Sequence, residues 1–142
     1  MDDIHIRPAR DFDAGPMATL LATMGDGSAD PARVRDWMAA DDSWHLAEDS
    51  SGRLTGLQWI GPGPDLPRKT CDIATFVPEG PLALRSGTAL FDATRRTARR
   101  RGYAWIRAAV PRGNTGGVDY YRSRGFETTG GVTGSVVTLY RL

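Results

Sequence analysis

The segment Asn114-Thr-Gly-Gly-Val-Asp-Tyr-Tyr121-Arg-Ser-Arg-Gly125-Phe126 constrains this chain more than any other. It follows an apolar run at 103–110 that has the length and composition of a strand. Asn114 is a natural helix N-cap, residues 115–122 have room for a short helix, and Phe126 begins the next strand. An amide side chain and a phenol are therefore held seven positions apart between two strands.

Upstream, Cys71-Asp-Ile-Ala-Thr-Phe-Val77 reads as a buried strand over 73–77. Gly87 lies ten residues beyond Val77, in a helix predicted over about 85–101. On that helix Leu90, Ala93, Thr94 and Ala98 share a face toward the core, and Arg95, Arg96, Arg99 and Arg100 face water. Arginines in the last turns complement the helix dipole, and Gly102 suits the C′ position.

The remaining elements follow from local signals. Ile4 and Ile6 alternate with polar residues up to Pro8, a short first strand. Asp11 or Asp13 caps a helix carrying Met17, Leu20, Leu21 and Met24, ended by Gly25-Asp-Gly-Ser28. Asp30-Pro31 starts a second helix that turns Val34, Trp37 and Met38 inward and ends near Ala40. Residues 44–48 and 54–60 pair as a hairpin around Asp49-Ser-Ser-Gly52. Residues 61–67, with three prolines, read as a loop. Residues 136–140 close the sheet after a turn around Gly130 and Gly131. The order is β-α-α-β-β-β-α-β-α-β-β. This predicts an α/β (α+β) fold, one domain over 1–142, with a mixed, mostly antiparallel sheet of about seven strands and about four helices.

The element order and these segments together resemble the GNAT N-acetyltransferase superfamily, over the whole chain. The resemblance implies an acetyl-CoA-dependent N-acetyltransferase. The acceptor would be a primary amine on a small molecule or amino acid, which attacks the thioester directly in a ternary complex. In that family the pyrophosphate of the cofactor sits on Gln/Arg-x-x-Gly-x-Gly at a helix start, where backbone N–H groups and the dipole favour anions. Here the aligned residues are Leu82-Ala-Leu-Arg-Ser-Gly87, and only the last glycine is kept. Two readings stay open. The amides of Leu84, Arg85, Ser86, Gly87 and Thr88 still cradle phosphate, with Arg85 adding a cation, or Arg85 fills space the cofactor needs.

By the same resemblance, backbone groups at Thr75, Phe76 and Val77 pair with the pantetheine arm, and one N–H polarises the thioester carbonyl. Asn114 contacts that arm as well as capping its helix, and the Tyr121 phenol protonates the leaving thiolate. The general base is open among Asp72, His45, Glu79 and a water chain to solvent. Trp37, Trp44, Gln58 and Trp59 are expected to line the acceptor pocket. An acyl-CoA-binding or regulatory module without turnover is the alternative.

Composition excludes other classes. The net charge is +1 among 142 residues, which gives no pull toward nucleic acid. The cluster 95–101 reads as a solvated helix face, with nucleic-acid binding by its arginines as a third, less favoured reading. Two histidines and a lone cysteine, widely separated, make no metal site. Cys71 cannot form an internal disulfide and reads as a buried thiol, so a cytoplasmic setting is expected. No apolar run is long enough for a membrane span. Gly61-Pro-Gly63 fails as a dinucleotide fingerprint, because Leu66 replaces its third glycine and no helix follows. Homodimers are common in the resembling family, but no interface is legible in these residues.

Overall fold

The structure is a computed structural model and describes residues 3–24, 30–39, 43–63 and 65–142. The expected helix stop at 25–28, the expected helix end near Ala40 and the side chain of Trp37 lie outside the described residues. The elements are β1 (His5–Pro8), a 3-10 turn (Asp11–Asp13), α1 (Ala14–Thr23), α2 (Pro31–Ala39), β2 (Ser43–Glu48), β3 (Leu54–Pro62) and β4 (Thr70–Phe76). Then come α3 (Ala83–Arg100), β5 (Trp105–Pro111), α4 (Thr115–Ser123), β6 (Glu127–Val132) and β7 (Ser135–Arg141). The strands form a seven-stranded sheet in the order β1-β2-β3-β4-β5-β7-β6. The β4–β5 pair is parallel, as a helical crossover requires, while β1–β2, β2–β3, β5–β7 and β6–β7 are antiparallel.

The chain divides into two compact units, Met1–Gly61 with Ala74–Thr94, and Pro62–Ile73 with Arg95–Leu142. In the first, the apolar positions of α1 do what their spacing predicts. Ala14, Met17, Ala18, Leu20 and Leu21 pack with Val34, Trp44, Leu46 and Leu57 into one core. Met24 does not join them and is exposed, because α1 ends at Thr23. The entry to α1 is fixed by Arg7, whose guanidinium meets both carboxylate oxygens of Asp13 at 2.8 Å. The Arg10 N–H donates to Asp13 as well. The hydrogen bonds from Arg7, with a smaller share from the Arg10 N–H, hold the Asp13 carboxyl below the ordinary carboxylate range.

Side chains alternate across β2 and β3, so Trp44 opposite Trp59 and His45 opposite Gln58 occupy different faces. β3 runs on through Gly61 and Pro62, which the sequence assigns to a loop. Proline is tolerated there because it stands at the last position of the strand. α3 starts at Ala83, two residues before the expected Arg85 (85 − 83 = 2), and Ala83 N–H donates to Gly80 O at 3.2 Å.

In the second unit, α3 ends in a Schellman cap. Gly102 has φ +84°, its N–H donates to Arg99 O, and Tyr103 N–H donates to Ala98 O. That cap and the Ala104 N–H bond to Lys69 O occupy residues 103–104, so β5 begins at Trp105 rather than Tyr103. Ile106, Ala108 and Val110 of β5 are buried on one face. Arg95 does not face water as expected, because it is half-buried and its Nη1 donates to the Tyr140 hydroxyl at 3.4 Å. Gly130 and Gly131 lie inside β6 beside a register shift, and the β6–β7 turn falls at Thr133 and Gly134 (φ +82°).

Candidate functional site

The residues nominated for a cofactor fall in both units. Thr75, Phe76 and Val77 and the turn from Leu84 to Thr88 belong to the first, Asn114 and Tyr121 to the second. β4 closes at Phe76, so Val77 is the first residue of the loop that leads to α3. Phe76 stacks on Trp44 with ring centroids 6.1 Å apart. The Val77 side chain lies over Gly56, where an added Cβ would come within 3.0 Å of it.

The first turn of α3 is oriented by one side chain. The buried Ser86 hydroxyl donates to Thr55 Oγ1 of β3 at 2.8 Å, while the Ser86 N–H donates to Leu82 O at 2.9 Å. Ser86 therefore anchors the turn from inside, its amide already within the helix ladder, as are those of Gly87 and Thr88 behind it. Leu84 is 76% exposed, Arg85 is exposed and Gly87 is buried. Leu84, Arg85 and Thr88 border an open cavity of about 840 Å³. No carboxylate stands in the first turn of α3 and a helix start favours negative charge, while Asp3 and Asp92, which line the same cavity, oppose an anion there.

In the second unit, Asn114 caps α4 by accepting from the Gly117 N–H at 2.9 Å. Gly117 suits this cap, because a Cβ would meet Asn114 Nδ2 at 2.9 Å and Val110 Cγ1 at 3.0 Å and shift both side chains. Tyr121 is 6% exposed, its ring edge-on to Tyr120 and tilted against Phe126, both with centroids 5.0 Å away.

Two of the three side-chain base candidates are held in place. Asp72 of β4 receives Arg107 of β5, Nε on Oδ1 at 2.9 Å and Nη2 on Oδ2 at 3.2 Å. Both carboxylate oxygens are thus engaged by Arg107. His45 is 9% exposed and its Nδ1 lies 3.4 Å from Oγ1 of the buried Thr94. Glu79 is exposed in the loop before α3. Of the expected pocket wall, Trp44 and Trp59 stand opposite each other and pack with the apolar core, while Gln58 is buried on the other face of the hairpin.

Cys71 is buried with its thiol 3.7 Å from Trp105 O, and burial pushes it up to about 12. Among the described residues no cluster of metal-ligating side chains occurs, and no helix is long and apolar enough to cross a membrane.

Solved structures resemble this architecture along its whole length. A GCN5-related N-acetyltransferase from Kribbella flavida is 21% identical, with 98% of each chain covered and a TM-score of 0.80. The chain has the GNAT acetyltransferase fold. A Salmonella typhimurium protein solved with its cofactor acetyl-CoA is 20% identical, covers 98% of this chain and 94% of its own, and has a TM-score of 0.81. The ribosomal-protein-alanine N-acetyltransferase of Brucella melitensis is 19% identical over 97% of this chain and 99% of that one, with a TM-score of 0.76. No protein-family model matches the sequence, and no curated protein matches it.

For three residues of the GNAT fold here the partner escaped sequence reading, Gln58 among them, which was expected at the acceptor pocket instead. Arg107 had one usable signal, a charge alternating with buried Ile106 and Ala108 on a strand parallel to that of Asp72. Thr55 and Gln58 had none, since their partners Ser86 and Thr75 lie 31 and 17 residues away.

Proposed function

We propose that this chain is an acetyl-CoA-dependent N-acetyltransferase acting on a primary amine of a small molecule or amino acid. The observation that carries the reading is the first turn of α3, pinned through Ser86 and Thr55 in the same unit as the end of β4, on a fold that in one solved relative holds acetyl-CoA. In this reading the Leu84 and Arg85 amides and the Arg85 guanidinium take the pyrophosphate. Ser86, Gly87 and Thr88 build the turn beneath it. Backbone groups at Thr75, Phe76 and Val77 align the pantetheine arm, and the Asn114 amide contacts it.

Acetyl-CoA supplies an acyl group activated as a thioester. The acceptor nitrogen forms the new C–N bond as the C–S bond breaks, and the Tyr121 phenol gives its proton to the thiolate. A phenol is neutral at pH 7 and suited to that donation. Because Asp72 and His45 are engaged elsewhere, the proton lost by the amine passes to water, and water returns one proton to the Tyr121 phenolate.

Calorimetric titration with acetyl-CoA, followed by thiol release over a panel of amines, tests the reading. Binding with amine-dependent release of coenzyme A is the expected result, and absence of binding overturns it. A second reading, an acyl-CoA-binding module without turnover, is favoured by the engagement of Asp72 and His45, two of the three side-chain base candidates. Binding without thiol release from any amine would select it.

A further inference from the structure

We infer that β3 is the frame that sets the spacing between the two cofactor-holding elements of the first unit, and that Thr55 and Gln58 are its positioning residues. The inference rests on the acetyl-CoA reading above and adds two residues that would touch no cofactor. Thr55 accepts the Ser86 hydroxyl at 2.8 Å and so fixes the first turn of α3. Three residues along the same strand, the Gln58 side-chain amide donates to Thr75 Oγ1 at 2.9 Å and so fixes the end of β4. Both elements are tied to one rigid strand by side-chain hydrogen bonds rather than by apolar contact alone.

Burial makes the second tie informative. Gln58 is 0% exposed, and a carboxamide in that position is unfavourable compared with an apolar side chain of equal size unless its hydrogen bonds are made. The strand pair continues the polar layer, with His45 opposite Gln58 and Thr94 of α3 at 3.4 Å from His45 Nδ1. Polar residues from β2, β3, β4 and α3 thus meet in the core of this unit. Such contacts are directional and select one geometry, which apolar packing does less strictly. For a ligand held by β4 backbone groups and by amides at the start of α3, the relative placement of the two decides whether both ends bind at once.

Thr55→Val keeps the shape and removes the oxygen that receives Ser86, and Thr55→Ser keeps that oxygen. Gln58→Met keeps the length and removes the amide. Calorimetry with acetyl-CoA should show Thr55→Val and Gln58→Met each weakening binding about three- to tenfold, the fold-change of one lost neutral hydrogen bond. Thr55→Ser should restore affinity to within about twofold of the parent. Thr55→Val on a Ser86→Ala background should add little further loss, because both act through one bond. A lowered melting temperature with unchanged affinity in Thr55→Val and Gln58→Met assigns these residues to stability alone and overturns the inference. Should Gln58→Met not fold, the Thr55 series decides. No binding by the parent protein removes the cofactor reading and the positioning role with it. Binding by the parent that the variants leave unchanged removes only the positioning role.

Discussion

Asp72 and Arg107 face each other from adjacent parallel strands, and the guanidinium meets both carboxylate oxygens, at 2.9 and 3.2 Å. A two-point contact of this kind holds the carboxylate as a structural partner. Asp72→Asn should therefore keep kcat within about threefold of the parent, whereas loss of a general base lowers rate by about a hundredfold or more. Arg107→Leu should lower stability by about 1–2 kcal/mol, since it leaves a half-buried carboxylate without its cation. Thermal unfolding and thiol release on the two variants separate these outcomes. A hundredfold fall in kcat for Asp72→Asn at unchanged stability would return Asp72 to the mechanism.

Gly63 lies against that same carboxylate. A Cβ at this position would stand 2.7 Å from Asp72 Oδ2 and 2.7 Å from Leu66 Cδ1. Gly63→Ala should lower stability by about 1–3 kcal/mol, as overpacked sites do. A denaturant midpoint equal to the parent's would show that the loop shifts without cost.

The Arg7–Asp13 pair gives a pH dependence with a definite sign. The hydrogen bonds from Arg7 depress the Asp13 carboxyl in the folded state relative to its unfolded value near 3.9. Its stabilisation is therefore fully present above about pH 4 and is lost as pH falls through the lower, folded value. Asp13→Asn should lower stability by about 2 kcal/mol at pH 7, with the gap to the parent closing below about pH 4. Urea unfolding from pH 2 to 8 reads this directly. A gap that stays constant with pH would mean that Asp13 acts through shape rather than charge.

Tyr121 offers a split between chemistry and packing. Phenylalanine preserves the ring contacts with Tyr120 and Phe126 and removes only the hydroxyl. Tyr121→Phe should lower kcat by about a hundredfold and leave acetyl-CoA affinity within about twofold. Steady-state kinetics beside calorimetry checks both numbers, and parent-like kcat would remove Tyr121 from proton transfer.

Local signals carried a large part of the architecture. The Asn114 cap, the Gly102 C′ position and the Asp49–Gly52 turn each state their geometry within a few residues, and the structure reproduces all three. Errors gathered at boundaries and at residues whose environment is set from far away. Met24 has the helical spacing of a core residue and is exposed because its helix stops one residue earlier. Arg95 looks solvated on a helical wheel and instead reaches Tyr140, 45 residues away.

The sequence by itself determined the order of strands and helices, because periodicity, caps and turn residues act over one or two turns of chain. It also determined the residue types offered to a thioester cofactor. Only the tertiary structure decided what those residues are free to do. Arg107 occupies Asp72, Thr94 encloses His45, and Thr55 orients Ser86, through partners 31 to 49 residues distant. A hydrogen bond depends on separations of a few ångströms in space, and no local pattern along a chain encodes which distant side chain will arrive there.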